Sequence, residues 1–188
     1  LPDAWYAAAV EDLLGLRPPD GTDPPTIRGT AYRTWVEANP VSDVGVDGYL
    51  RAAEAVVAMV SPEDLMGCAA PYLCAGEWGE ALLERAFRRP PTPAESALFL
   101  GLLEPDPAQG AGLLVEAVLQ SPQFLYLDLS AEGSPGEVVL LGPDALAARL
   151  SFVLLGAPPD ESLRADAAAG ELDTPTDART VVATLLDD

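Results

Sequence analysis

Thr92-Pro93-Ala94-Glu95 and Asp106-Pro107-Ala108-Gln109 open two successive apolar runs, and how they open them decides the fold. Each sets a side-chain oxygen ahead of a proline and an acid or amide two residues beyond it. At an N-cap the oxygen accepts a free backbone N–H. Proline at the first helical position forfeits no hydrogen bond, and the third side chain reaches back to the cap. Ser61-Pro62-Glu63-Asp64 and Thr174-Pro175-Thr176-Asp177 repeat the pattern. Nineteen prolines would ordinarily argue against a helical protein, but prolines in this position argue for one.

Helical periodicity follows each start. Leu98, Leu102 and Leu103 come after Thr92; Leu113, Leu114, Ala117 and Val118 after Asp106; Val181, Val182, Leu185 and Leu186 after Thr174. Val46, Tyr49, Leu50, Ala53, Val57 and Val60 mark one face of a helix over about 46–60. Helices are also expected over 4–14, closed by Gly15, over 78–89, over 144–155, closed by Gly156, and from Asp160 to Ala169 before Gly170. Residues 17–25 read as a loop. Aromatic and β-branched runs at 124–129 and 137–141 flank a Gly/Ser/Pro segment and predict one β-hairpin. The expected class is mainly α: a multi-helix orthogonal bundle with one small hairpin near 124–141. Its expected segments are an N-terminal one over 1–76 and a C-terminal one over 77–188, alternatively one continuous domain.

Composition removes most active-site chemistries. There is no histidine, and ten arginines, with no lysine, face thirty Asp and Glu. A Ser-His-Asp triad, a histidine metal site, a P-loop and a pyridoxal Schiff base each lack an obligatory side chain. A net charge of −20 opposes nucleic acid and anionic membrane surfaces. The apolar stretches are too short for a bilayer span. Beginning at Leu1-Pro2-Asp3 and ending inside an amphipathic pattern, the chain reads as a piece of something longer. Cys68 and Cys74 are too few for a structural zinc site. Six residues apart around Pro71, they read either as a local disulfide or as two small buried thiols.

Arg85-Ala-Phe-Arg88-Arg89 places three arginines in the last turns of a helix. They suit an anion fork, or, with so many acids present, pairing at a helix C-terminus. No acid stands in a distinctive catalytic motif. Asp43-Val-Gly-Val-Asp47-Gly48 lacks the ligand alternation of a calcium loop and reads as a turn and N-cap. Ser134 has no base to activate it, and Trp5, Trp35 and Trp78 are scattered as core residues are.

Arg85-Ala-Phe-Arg-Arg-Pro-Pro-Thr-Pro-Ala-Glu95 resembles the "RAFRRPLT-x-x-E" signature of a large family of secreted bacterial proteins, and Ser121-Pro-Gln-Phe-Leu-Tyr126 its "SPxFLYR". Ala145 to Gly156, continued by Pro159-Asp160-Glu161-Ser-Leu163, is similar to "ELASRLSYFLWGSxPDDEL", and Ala167 to Leu172 continues the likeness. Val10 to Gly15 looks like an N-terminal "VRDLLG". The C-terminal block resembles domain of unknown function fifteen ninety-two. The chain departs from the pattern at Pro91, Leu127 and Leu155. The resemblance implies export, often as a lipoprotein, fusion to cytochrome c domains or carbohydrate-binding modules, and cysteines ahead of the arginine-rich signature. It therefore favours the Cys68–Cys74 disulfide, and it supplies no catalytic residue.

The expectation is an extracytoplasmic, non-catalytic structural or interaction module of a larger envelope protein. Arg85, Arg88, Arg89 and Arg149 are its scaffold arginines, pairing with acids across helices. No catalytic residue, cofactor or metal is assigned, and the partner is another protein or other domains of the same polypeptide. The alternatives are a carboxylate-dependent enzyme or binder of polysaccharide, and a docking module for a c-type cytochrome.

Overall fold

The computed structural model describes residues 1–19, 43–68, 70–127 and 141–187. Its helices are α1 (Asp3–Leu14), α2 (Asp43–Val57), α3 (Pro62–Met66), α4 (Pro71–Phe87), α5 (Pro93–Leu100), α6 (Pro107–Gln120), α7 (Pro122–Leu125), α8 (Pro143–Leu155), α9 (Glu161–Ala168) and α10 (Pro175–Asp187), with a 3-10 turn at Gly101–Leu103. The mainly-α class holds, and no strand occurs among the described residues.

All four proline starts are helix starts. Ser61 Oγ accepts from Asp64 N at 3.1 Å, Thr92 Oγ1 from Glu95 N at 3.3 Å, Asp106 Oδ1 from Ala108 N at 3.1 Å, and Thr174 Oγ1 from Asp177 N at 3.3 Å. The third side chain closes the box at Thr92, whose N–H donates to Glu95 Oε2 at 2.7 Å, and at Thr174, whose N–H donates to Asp177 Oδ2 at 3.1 Å. Such caps each stabilise a helix by about 1 kcal/mol.

The same chemistry overturns the start of the expected hairpin. Ser121 Oγ accepts from Phe124 N at 3.3 Å, Pro122 takes the first helical position, and Phe124 and Leu125 lie buried in α7 rather than in a strand. A local cap outweighs the β-propensity of the aromatic run, which is the weaker and more context-dependent preference. Residues 128–140, which hold most of the expected hairpin, lie outside the described residues, as do 20–42, with most of the 17–25 loop. Asp43 to Gly48, expected as a turn, forms the first turns of α2.

The chain divides into two compact units, Leu1–Tyr126 and Leu127–Asp188. Position 76/77, expected as a segment boundary, falls inside α4. In the first unit α6 is central and packs against α2, α3, α4, α5, α7 and the 3-10 turn. Leu114, Val115, Val118 and Leu119 of α6 are buried with Tyr6, Val10, Val56, Leu83 and Phe124. Gly110 lets the start of α6 lie directly on the 3-10 turn: a methyl there would overlap the Leu102 carbonyl oxygen and stand 2.6 Å from Leu103 Cα. The buried face of α2 is Gly48, Ala52, Ala53 and Val56, while Val46 and Leu50 are exposed. Small side chains bring α2 close onto α6, so close packing and not the largest apolar residues selects the face.

In the second unit Ala147, Leu163, Ala167 and Leu172 form a small core, with Leu146, Leu150, Ala178, Val181 and Leu185 against it. Gly156 caps α8 in the left-handed region at φ 72°, as expected. Asp160 caps α9 by accepting from Leu163 N at 2.8 Å. Among the described residues no helix is long and apolar enough to cross a membrane.

Candidate functional site

Of the arginine-rich stretch, Arg85 lies in the last turn of α4 as expected, and Arg88 and Arg89 lie beyond it. α4 ends at Phe87, and Arg88 turns the chain in the left-handed region at φ 59°. Glycine usually fills such a position, and a side chain there costs about 1 kcal/mol. What the Arg88 side chain reaches offsets that cost. Its Nη2 donates to the carbonyls of Gln123 at 2.7 Å, Phe124 at 3.1 Å and Tyr126 at 3.1 Å. The guanidinium carbon lies 5.9 Å from the centre of the Phe124 ring. Carbonyls at the end of a helix have no intrahelical partner, and a cation is the favoured group beside them. Arg88 therefore caps α7 from below the surface, at 5% exposure. Burial, and secondarily Arg89, lowers its pKa to about 10, so it remains charged at neutral pH.

Arg89 is bidentate on Glu95, with Nη1 donating to Oε2 at 2.9 Å and Nη2 to Oε1 at 2.8 Å, and it lies 5.8 Å from the centre of the Phe87 ring. Glu95 also accepts from Thr92 N, from Thr92 Oγ1 at 2.9 Å and from Gln123 Nε2 at 3.2 Å. The Arg89 hydrogen bonds, helped by those from Thr92, hold its carboxyl down to about 2 against the opposing effect of burial. Two of the stretches that carry the resemblance, 85–95 and 121–126, thus meet in one junction. Glu95 joins them through Gln123, and Arg88 joins them through three carbonyls.

The other two expected arginines lie elsewhere. Arg85 ties α4 to α1: its Nη2 donates to the Asp12 carbonyl and stands 3.5 Å from Asp12 Oδ2. Arg149, on α8, is exposed and makes no ion pair among the described residues. The expectation sets an acid opposite each arginine. For Arg88 the described partners are instead main-chain carbonyls, an acceptor that no residue pattern displays. Glu95 and Gln123 are partners that the expectation omits. A signal is present for both: Glu95 closes the capping box after Thr92, and Gln123 comes two residues after Ser121 in a serine–proline start.

Cys68 and Cys74 are joined as a disulfide, with their Cα atoms 6.8 Å apart. The bond links the residue just after Gly67, the C-cap of α3, to the first turn of α4. In the same unit is a cleft of about 430 Å³, within the range of small-ligand sites. It is lined by Trp78, Leu82 and Arg85 of α4, Leu13 of α1, and Asp64 and Leu65 of α3, among others. Among the described residues no group of three or more Cys, Asp or Glu converges as metal ligands would.

The fold and the junction define a class of helical protein whose signature side chains engage one another. Residues 74–128, which run from the disulfide through α7, match the family described as PSD5, protein of unknown function (DUF1595). Residues 141–188, which hold α8 to α10, match PSD4, protein of unknown function (DUF1592). The chain thus carries two matched segments in succession, each described as a domain of unknown function. No curated protein and no solved structure matches the chain.

Proposed function

We propose that this chain is a structural or interaction module of a larger extracytoplasmic bacterial protein, and that Arg85, Arg88 and Arg89 brace its scaffold. The observation that carries the reading is the junction. Two of the three clustered arginines are committed to carbonyls and to Glu95 within the fold, as braces are, where a substrate fork would offer its donors to a cavity. The Cys68–Cys74 disulfide supports a compartment outside the cytoplasm, since such bonds persist under oxidising conditions. A strongly acidic surface keeps the module hydrated and favours cationic or neutral partner surfaces, including other domains of the same polypeptide. The test is Arg88→Gln within the full-length polypeptide. The reading expects less folded protein and a lower melting temperature, with any activity per folded molecule unchanged. Loss of activity or of ligand binding at an unchanged melting temperature would overturn it.

A further inference from the structure

The cleft of the first unit is not explained by bracing. Trp78, Leu82 and Arg85 stand at i, i+4 and i+7 on α4, so its floor is one helix face carrying an indole, an aliphatic chain and a guanidinium in succession. Leu14, Val60 and Leu65 add apolar lining beside the Asp64 carboxylate. Arg85 is 42% exposed, and its described contacts, to the Asp12 carbonyl and carboxylate, all run through Nη2. Its Nε and Nη1 donors have no partner among the described residues. A guanidinium with free donors beside an apolar floor recognises a carboxylate attached to an apolar body.

Asp64 narrows the class further. Its carboxylate, fixed by a 2.8 Å hydrogen bond from Ser61 Oγ at the start of α3, lines the same cleft and disfavours every negative charge that Arg85 does not hold. We infer that the cleft binds a small monocarboxylate with an aliphatic or aryl body: the carboxylate on Nε and Nη1 of Arg85, the body against the partly exposed Trp78, Leu65, Leu14 and Val60. Asp12 is the internal competitor, because it already draws the same guanidinium.

That competition gives the test two arms of opposite sign. Octanoate and octanamide are titrated calorimetrically into the 188-residue chain, its Arg85→Gln variant and its Asp12→Asn variant, with folding of each checked by a thermal melt. Octanoate is expected to bind the unsubstituted chain at least about tenfold more tightly than octanamide, one good charge-assisted contact being worth about a factor of ten. Arg85→Gln is expected to remove that preference, and Asp12→Asn to tighten octanoate a few-fold. If Arg85→Gln does not fold, the Asp12→Asn arm alone decides. Equal binding of acid and amide, weaker octanoate binding in Asp12→Asn, or no octanoate binding at millimolar concentration would each overturn the inference.

Discussion

The two compact units bury the same scarce cation to different depths. In Leu1–Tyr126 an arginine goes inside: Arg88 is buried beneath α7, and Arg89 is folded onto Glu95 and the Phe87 ring. In Leu127–Asp188 no described arginine goes as deep as Arg88. Arg149 is exposed, and Arg164, 23% exposed, serves its own helix, donating to Glu161 at 2.7 Å and to the Pro159 carbonyl at 3.1 Å. The cores differ in parallel. The first unit buries Tyr6, Phe87, Phe99 and Phe124 around α6, while in the second Phe152 is the one fully buried aromatic among the described residues and the α8–α9 cluster is built on two alanines and two leucines. The comparison teaches that position, not abundance, makes an arginine structural. A buried guanidinium is retained where acceptors meet its donors, as the carbonyls at the end of α7 meet Nη2 of Arg88.

Substitutions can break this contrast, and the largest effect is expected at Arg88. Arg88→Gln removes a buried charge-assisted donor and leaves at least two carbonyls without their partner, at a cost of about 3 kcal/mol in denaturant unfolding. Gly110→Ala comes next in the same unit. Alanine gains about 1 kcal/mol of helix propensity, but the methyl meets backbone at Leu102 and Leu103 that cannot give way, so a net loss of about 2 to 3 kcal/mol is expected. A raised melting temperature would show that the 3-10 turn is free to move.

Glu95→Gln is expected to cost about 2 kcal/mol at neutral pH, and its pH dependence is the sharper reading. The folded-state pKa, about 2, lies below the ordinary 4.5, so the stabilisation is present above about pH 4.5 and is lost as pH falls toward 2. Unfolding curves of the unsubstituted chain and the variant should therefore converge in acid. A gap that stays constant down to pH 2 would contradict the Arg89–Glu95 pair. The smallest effect is expected in the second unit, where Arg149→Gln should leave the unfolding midpoint where it is.

Helices are legible wherever a side chain supplies the first hydrogen bond, because cap, proline and acid are all written in sequence. The buried faces are less so. Leu113 and Leu98 fit a helical period yet are exposed, and Ala52 and Ala53 of α2 are buried, since helix-to-helix distance depends on partners that periodicity does not name. α7 reads as a strand because its aromatic run masks a serine–proline start of the kind that opens α3. The candidate site is half legible. The arginines stand out in the sequence, as does Glu95 after Thr92, but a main-chain carbonyl is the same in every residue, so nothing in the letters marks 123, 124 and 126 as the acceptors of Arg88. The cleft beside Arg85 depends on three helices meeting and leaves no local signature.

The central claim, that Arg88 is a buried brace on α7, is tested most directly by nitrogen-15 NMR of the arginine side chains. The account expects Arg88 to give resolved guanidinium N–H signals that exchange slowly with water and disappear in Arg88→Gln, while Arg149 exchanges fast. Arg88 signals averaged and exchanging as fast as those of Arg149 would contradict it.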